Sequence, residues 1–480
     1  MGQDGIIESA GDWRAFCVAA SGTFMATLDA GIVNTALPTI AHDFAASLPE
    51  VQWLVAAYFL VISCLLPLFG RMGDMYGRRR LYSLGFIAFT ISSMLCGAAP
   101  SLLALIGARV LQGVGAAMLM ANGPAIIMAA FPGTTRGRAL GMLGMTVALG
   151  SLTGPGLGGL LIQSFGWRCV FYVNLPIGLF GLWLTRRFLS TVERLHDETL
   201  DLAGAGLFAV AMTGMLLAMT HGRDWGWASP QVLVCLTLAV VAFPCFVLWE
   251  RRTDHPMIDL SLFGIWPFLS GNIVAFLTFM SMFANAILLP FYLQGQQHLT
   301  PLMTGIVLST LPLVMAVAAP ISGYLSERVN FATLTTIGLG VICSALLGQS
   351  LFVPATPLWR VFLSQVVLGL GVGIYMSPNN NSVLTSAPQD KIGLVGGFLA
   401  LVRNVGMVSG IAVAISVFGV VQGHAAALGL DRVAAFSSGF RAALTSGAVL
   451  AFVAGCLSLH RRGMFRVPVG HVHREVRKDA

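Results

Sequence analysis

Gly70–Arg80, with the sequence G-R-M-G-D-M-Y-G-R-R-R, comes directly after the apolar run Trp53–Phe69 and contains one acid and four arginines. An apolar run of this length is long enough to cross the hydrocarbon core of a bilayer as a helix. Arginine clusters beside such helices mark the cytoplasmic side of a membrane. The stretch therefore predicts a membrane helix that ends near Gly70 in a short charged turn, and it orients the rest of the chain.

The composition predicts an all-α polytopic membrane protein. Of the 480 residues, 56% are hydrophobic and only 10% are charged, which is too few to cover the surface of a water-soluble protein. Backbone groups in hydrocarbon must form their hydrogen bonds within the protein, and only helices and closed barrels allow this. The long apolar runs fit helices, because the alternating pattern of a barrel is absent.

Fourteen apolar segments are predicted to span the membrane. They are 14–38, 50–70, 81–99, 102–124, 138–162, 169–189, 200–220, 230–249, 267–290, 302–324, 331–353, 358–380, 392–421 and 440–460. An even number of spans returns both ends to one side, and that side also carries most of the 27 Lys and Arg residues. We therefore expect residues 1–13 and 461–480 to be a cytoplasmic N-terminus and a cytoplasmic tail. Because topology explains the positive charge, the expected partner is the lipid bilayer and not a nucleic acid.

The cysteines, histidines and N-terminus indicate no covalent or metal chemistry. The eight cysteines are scattered singly, without a C-x-x-C pair, so we expect no disulfide, metal site or cofactor. The histidines fall in predicted loops, helix ends and the tail, so no buried catalytic dyad is predicted. Met1–Trp13 is polar and contains three acids, which is unlike a cleavable signal peptide.

The sequence behind the tenth predicted span repeats the pattern behind the second. Gly323–Asn330, with the sequence G-Y-L-S-E-R-V-N, parallels Gly70–Gly77, and Glu327 falls close to the position of Asp74. The repetition predicts two six-helix units with a helix pair inserted between them. These units are 14–190, 267–460 and the inserted pair 200–249. Such repeats commonly transport by alternating access with the substrate near mid-membrane; a duplicated scaffold without transport is the alternative.

Five motifs follow one another along the chain. They are L-D-A-G-I-V-N-T-A-L-P (Leu28–Pro38), the loop residues Gly70, Asp74, Gly77, Arg78 and Arg79, R-V-L-Q-G-V-G-A-A (Arg109–Ala117), G-S-L-T-G-P-G-L-G-G (Gly150–Gly159) and W-R-C-V-F-Y-V-N-L-P (Trp167–Pro176). Together they resemble the major facilitator superfamily, specifically its fourteen-helix drug:proton antiporter family, over residues 13–460. The resemblance implies two six-helix bundles with two extra central helices.

The resemblance also implies a function. Members of this family export amphipathic compounds, typically lipophilic cations, in exchange for protons, and so give multidrug efflux and antibiotic resistance from the bacterial inner membrane. We therefore expect a monomeric drug:proton antiporter whose partners are a small-molecule substrate, protons and lipid. Export of an endogenous metabolite, a lipid-like compound or an anion is the alternative. An enzyme is not expected, and neither is an ATP-driven pump, because no G-x-x-x-x-G-K-[ST] motif occurs.

Asp29 is the one carboxylate well inside a predicted span. An ionised acid there costs about 2.5–3.5 kcal/mol on insertion scales unless it is paired, hydrated or protonated. At about 1.5 Å per residue, Asp29 in the first span and Arg109 in the fourth lie at similar depths, roughly 8 and 10 Å from the outer surface. We expect the two residues to pair and to couple proton movement to transport; a static ion pair between two helices is the alternative.

The residues of the charged loop are candidates for a gate. In the family that this chain resembles, the motif matched by Gly70, Asp74, Gly77, Arg78 and Arg79 latches the cytoplasmic gate. Its glycines allow two helices to approach closely, and its charges then hold them together. A solvated loop that only orients the chain is the alternative interpretation.

The glycine-rich run in the fifth span is a candidate hinge. Its members Gly150, Gly154, Pro155, Gly158 and Gly159 match the antiporter motif, to which the resemblance assigns a hinge role. Glycine and proline permit close helix packing and a kink, so tight packing alone is the alternative. The run also fits G-x-G-x-x-G, but dinucleotide binding is not expected because no strand precedes it.

Polar and flexible side chains within the spans are candidates for lining a substrate cavity. They are Asn34, Gln112, Met118, Asn122, Phe279, Asn285, Asn379, Arg403 and Asn404. Methionine and aromatic side chains suit an adaptable apolar cavity, whereas the amides could instead hold helices together. Arg403, about 16 Å deep in the thirteenth span, either serves function or bonds backbone carbonyls. As a second deep cation, it weakens a simple picture of cation capture.

Overall fold

A computed structural model describes residues 12–131, 133–189, 201–226, 228–253, 260–326, 328–386 and 392–462. In these ranges the chain forms fourteen long helices and no β-strand. The helices are α1 (Trp13–Asp43), α2 (Trp53–Tyr76), α3 (Arg78–Gly97), α4 (Leu102–Ala130), α5 (Gly133–Phe165), α6 (Asn174–Phe188), α7 (Leu202–Trp225), α8 (Pro230–Glu250), α9 (Trp266–Phe291), α10 (Pro301–Leu325), α11 (Phe331–Ser350), α12 (Leu358–Thr385), α13 (Ile392–Ala427) and α14 (Arg432–Arg462). Glu327, the linker 190–199 and most of the predicted N-terminus and tail lie outside the described residues.

Length and apolar composition identify these helices as membrane spans. Within the described ranges, 13 helices are long and apolar enough to cross a membrane, and α7 contains a shorter apolar stretch, Ala203–Met219. Large apolar side chains also cover the outside of the helices, as with Val240 of α8, which is 69% exposed. Such a surface is stable only where the surrounding solvent is lipid. The predicted all-α membrane fold is confirmed.

The charged turn lies further along the chain than the sequence predicted. α2 does not end near Gly70 but continues to Tyr76, so the first part of the motif is helical. The turn is made by Gly77, whose φ of +93° lies in a region that glycine adopts without strain, and α3 begins at Arg78. The predicted boundary was wrong because a helix can continue beyond the hydrocarbon, where charged side chains reach water.

The long helices form two bundles and an inserted pair. α1–α6 pack together as the first half, and α9–α14 pack together as the second half. α7 and α8 pack on each other, and α7 also packs against one helix of each half, α2 and α13. Trp53 of α2 stacks on His221 of α7 with ring centroids 5.2 Å apart, and Ser416 of α13 donates a hydrogen bond to the Met219 carbonyl of α7. The inserted pair therefore contacts both halves.

The two halves are held together at one end of the molecule. We call the end with the start of α1 and the end of α14 the termini face, and the opposite end the far face. Among the described residues, hydrogen bonds between the halves lie at mid-membrane or near the far face. Gln294, in the π-helical turn that continues α9, donates to the Thr35 carbonyl at 3.1 Å, and Ser309 donates to the Leu152 carbonyl at 3.1 Å. The far face is therefore closed in this conformation.

Glycines bring α5 of the first half into backbone contact with α10 of the second. A Cβ atom at Gly159 would collide with the Pro301 carbonyl oxygen, and one at Gly305 would collide with the Pro155 carbonyl oxygen. Small residues at such positions let two membrane helices approach closely. This contact reinforces the closure at the far face.

We expect Gly159→Ala to destabilise the protein by about 1–3 kcal/mol, because the added methyl group meets backbone that cannot move without separating α5 from α10. The measurement is thermal unfolding in detergent, followed with a thiol-reactive fluorophore that reports exposure of the buried Cys64 and Cys96. Gly340→Ala on α11 is the control, since a Cβ atom there meets nothing within 4 Å. Equal unfolding temperatures for the two variants would contradict the proposed close contact.

Candidate functional site

The structure brings Asp29 of α1 and Arg109 of α4 into direct contact. The Arg109 Nη1 atom donates to Asp29 Oδ2 at 2.5 Å, and both residues are 0% exposed. A carboxylate and a guanidinium without water must satisfy their hydrogen bonds within the protein, because an unpaired buried charge is costly. The ion pair is therefore expected to have further partners.

The second oxygen of the Asp29 carboxylate is bound by two amides. Asp29 Oδ1 accepts hydrogen bonds from Gln112 Nε2 at 3.0 Å and from Asn174 Nδ2 at 2.9 Å. Asn174 also donates to the Ser93 hydroxyl at 3.1 Å. These residues belong to α4, α6 and α3, so the Asp29 carboxylate of α1 connects most of the first half.

The Arg109 guanidinium has partners of its own besides Asp29. Its Nε atom donates to the Leu54 carbonyl at 2.9 Å, and Nη1 donates to Gln112 Oε1 at 2.7 Å. The guanidinium carbon lies 4.1 Å from the centre of the Tyr58 ring, which is a cation–π contact. If Asp29 accepted a proton, Arg109 would keep these partners, so neutralising the acid does not leave the cation without support.

Asn174, Tyr58 and Ser93 of this network were not predicted from the sequence. Asn174 is the first residue of α6 and lies in the motif Trp167–Pro176, whose single amide could have marked it. Tyr58 carries no comparable signal, because one tyrosine among the apolar residues of a span is equally consistent with packing. Among the described residues, no cluster of three or more His, Cys, Asp or Glu could hold a metal ion.

Among the described residues, the hydrogen bonds of the candidate gate residues all lie within the first half. Asp74 Oδ1 accepts from Arg78 Nε at 3.0 Å and Nη2 at 2.7 Å, and Arg78 Nη1 donates to the Ala125 carbonyl of α4. Arg79 donates to a carbonyl at the end of α6. A Cβ atom at Gly70 would meet nothing within 4 Å. The close helix approach expected at Gly70 is therefore absent when the far face is closed.

The candidate hinge residues place α5 between the two halves. A Cβ atom at Gly154 would lie 2.9 Å from the Leu28 carbonyl and 3.0 Å from the Gly31 Cα atom, both on α1. Gly150 and Gly158 face the same helix. Gly159 and the Pro155 carbonyl oxygen face α10, whereas the Pro155 ring lies against Gly31 of α1. The run thus makes tight backbone contacts on two sides, and its role as a hinge stays a prediction.

Most of the candidate cavity residues hold helices together. Asn122 donates to the Phe69 carbonyl at 3.2 Å, and Asn285 accepts from Gln365 at 3.2 Å. Gln112 belongs to the Asp29 network, Asn379 binds the Gly271 carbonyl, and Met118 packs beside Gly85. The remaining candidates are Asn34, Phe279 and Arg403, which are partly exposed, and Asn404, which is buried.

Arg461 was assigned to the tail, but it is a fully buried residue near the end of α14. It donates to Asn379 Oδ1 at 3.0 Å and to the Ser382 hydroxyl at 2.8 Å, both on α12, and lies 5.4 Å from the centre of the Phe331 ring. The predicted span ended at 460, so a cation that ties three helices of the second half together was counted as a solvated charge.

Comparisons with known proteins agree with this architecture. A family model described as the Major Facilitator Superfamily matches residues 19–411. The chain is 38% identical to the Riboflavin transporter RibZ of Clostridioides difficile over 394 residues, which cover 82% of this chain and 85% of that protein. It is 34% identical to the Multidrug resistance protein Stp of Mycobacterium tuberculosis over 385 residues, which cover 80% of this chain and 72% of that protein.

A solved structure supports the fold independently. The crystal structure of a bacterial homologue of the human lysosomal transporter Spinster, in an inward-facing and unoccupied conformation, superposes with a TM-score of 0.69. It covers 95% of this chain and 98% of the other chain at 17% identity. At this level of identity the likeness shows a shared fold and nothing about substrate.

We expect Arg109→Gln to cost about 3–5 kcal/mol of stability, because it leaves a buried carboxylate without its cation. Asp29→Asn combined with Arg109→Gln should recover part of that loss, since no charge then stays unpaired. Thermal unfolding in detergent measures both. Arg168→Gln is the control: its pair with Asp43, at 3.4 Å, is half exposed and should contribute about 1 kcal/mol or less. Equal effects of Arg109→Gln and Arg168→Gln would contradict this account.

Proposed function

The chain belongs to the Major Facilitator Superfamily, and from this membership together with the Asp29 network we propose that it is a proton-coupled exporter of amphipathic compounds. Members of the superfamily are transporters and not enzymes, so the protein moves a small molecule across a membrane. Proton coupling and the direction of transport are the proposed parts. The observation that carries them is the buried carboxylate of Asp29.

Asp29 is suited to exchange a proton because both of its states are supported by the protein. Ionised, it accepts hydrogen bonds from Arg109, Gln112 and Asn174. Protonated, it would leave Arg109 with Gln112, the Leu54 carbonyl and the Tyr58 ring. The two states differ by one charge in a dry environment, where electrostatic interactions are strong. Protonation can therefore shift the balance between two conformations.

A short route connects Asp29 to the closure at the far face. Gly154 of α5 packs against α1 at Leu28 and Gly31, beside Asp29. The next residues of α5 contact α10 of the second half. Further along α1, the Thr35 carbonyl accepts the hydrogen bond from Gln294. A shift of α1 that follows a change of charge at Asp29 would therefore act on both contacts that close the far face, which supports coupling by proximity.

The substrate is proposed from the relatives and from the expected family. Similarity to a protein named for multidrug resistance supports export of varied amphipathic drugs, for which the family resemblance implies lipophilic cations. Similarity to a protein named as a riboflavin transporter supports the second candidate, an endogenous metabolite. Competition assays in proteoliposomes distinguish the two, because only a drug exporter would show proton flux with many unrelated compounds.

The orientation in the membrane is also a proposal. Arg78, Arg79, Arg186 and Arg187 lie at the termini face, and excess Arg and Lys mark the cytoplasmic side. We therefore place the termini in the cytoplasm of a bacterium, the protein in its inner membrane, and the closed far face toward the outside. A monomer satisfies this arrangement, because both halves of the transport path come from one chain.

We expect Asp29→Asn to abolish substrate-driven proton movement while the protein stays folded, since an amide keeps the shape of the side chain but cannot ionise. The measurement is the fluorescence of a pH-sensitive dye in proteoliposomes, where the variant should match protein-free vesicles. Asp43→Asn is the control, because Asp43 is half exposed at the far face. Full antiport by Asp29→Asn would end the proposal of proton coupling and favour the static ion pair.

We expect Asp74→Ala to slow transport more than it weakens substrate binding, because the proposed gate acts in the conformational step and not in the cavity. Asp74 accepts hydrogen bonds from Arg78, which also donates to a carbonyl of α4. Loss of the Asp74 carboxylate removes the partner that positions Arg78 at the termini face. Initial transport rates and equilibrium binding should be compared in the same preparation. Normal rates would show that the arginines serve only orientation.

A further inference from the structure

Three arginines lie deep within the bundles, and the protein provides partners for two of them. Arg109 and Arg461 donate hydrogen bonds to neighbouring side chains. Among the described residues, the Arg403 guanidinium forms no hydrogen bond, ion pair or stacking contact, and no bond to a backbone carbonyl. Tyr375 of α12 is the group within electrostatic reach of it. A membrane-embedded cation without a partner marks a functional site.

Arg403 points into the interior of the second half and not toward the inserted pair. Leu401 and Val405 of α13 pack against Phe208 and Phe246 of that pair. Each lies two residues from Arg403, so the side of the helix that carries Arg403 is about 160° away. On that side Arg403 is within electrostatic reach of Tyr375 on α12. Arg403 is only partly buried, so the residue keeps some accessible surface.

Among its described residues, the second half has no carboxylate at the depth of Arg403. Between Leu260 and Arg462 the sequence contains three acids, Glu327, Asp390 and Asp431. Asp431 accepts a hydrogen bond from the Ala434 amide at the start of α14, on the far face. The other two lie outside the described residues. The described residues of the second half therefore supply no counter-ion for Arg403.

The first half does not provide that counter-ion either. Its deep carboxylate, Asp29, is 0% exposed and already binds Arg109, Gln112 and Asn174. A cationic substrate would have to displace Arg109 from Asp29, and it would meet a second free cation at Arg403. An anionic substrate meets neither obstacle. The distribution of charge thus favours negative charge on the compound that enters the interior.

We propose that Arg403 binds an oxyanion of the transported compound, a carboxylate or phenolate joined to an apolar aromatic body. The proposal rests on the proposed transport function and replaces lipophilic cations with amphipathic anions as its substrate class. The planar guanidinium presents paired N–H groups that match two oxygens. Phe279, whose Cβ lies 3.2 Å from the Cβ position of Gly406 one turn along α13, offers apolar surface beside it.

Fluorescein and rhodamine 123 provide a matched test, because they share a xanthene ring system and carry opposite charges at neutral pH. Their binding to the purified full-length protein in detergent is measured by fluorescence anisotropy. We expect fluorescein to bind more tightly than rhodamine 123, and Arg403→Gln to weaken fluorescein binding about 30-fold or more. Arg403→Lys should give an intermediate affinity, since lysine keeps the positive charge but lacks the paired N–H groups of the guanidinium.

Arg360→Gln, which removes an exposed arginine at the start of α12, is the matched control and should leave fluorescein affinity unchanged. Size-exclusion chromatography establishes whether each variant is folded. If Arg403→Gln does not fold, the fluorescein affinity of Arg403→Lys tests the proposal in its place. Tighter binding of rhodamine 123, no binding of either dye, or fluorescein affinity that is unchanged without Arg403 would each overturn the proposal. Because equilibrium binding needs no proton gradient, a failure of proton coupling would leave this result unaffected.

Discussion

The dry ion pair between Asp29 and Arg109 is the interaction on which the first half depends. Removing both charges from water costs several kcal/mol per ion, and only well-placed partners offset that cost. Gln112, Asn174 and the ring of Tyr58 are those partners, and they come from different helices. The helices must therefore keep their relative positions for the pair to persist. In turn, a change in the charge of one carboxylate alters the balance of forces throughout the bundle.

Glycine packing carries that dependence to the second half. α1 holds Asp29 and, further along, the Thr35 carbonyl that accepts from Gln294, while α5 packs on α1 through Gly154 and on α10 through Gly159. Contacts between backbones leave no flexible side chain to absorb a displacement. Packed interfaces of this kind change between discrete arrangements instead of deforming smoothly. For this reason, a displacement of α1 at Asp29 is expected to move the contacts that close the far face as well.

Much of the fold follows from the sequence, whereas the details of the site follow only in part. The lengths of the apolar runs predict the membrane spans. The similar depths of Asp29 and Arg109 in their helices were sufficient to predict that the two residues pair. The partner Tyr58 was missed because its contact joins helices whose rotation is set by packing and not by any local pattern. Arg461 was missed because a charge at the end of an apolar run looks the same whether the helix stops or continues into protein. Burial of polar groups depends on neighbours that are distant in sequence.

The two halves differ in whether their buried charged side chains are paired. In the first half an acid and a cation neutralise each other, and in the second half Arg403 has no protein counter-ion among the described residues.

The central claim is that Asp29 gains and loses a proton as the halves exchange conformations. Infrared difference spectroscopy of the reconstituted protein across a pH titration tests it most directly. We expect a protonated carboxyl band that Asp29→Asn removes; a carboxylate that stays ionised in every state would contradict proton exchange at Asp29.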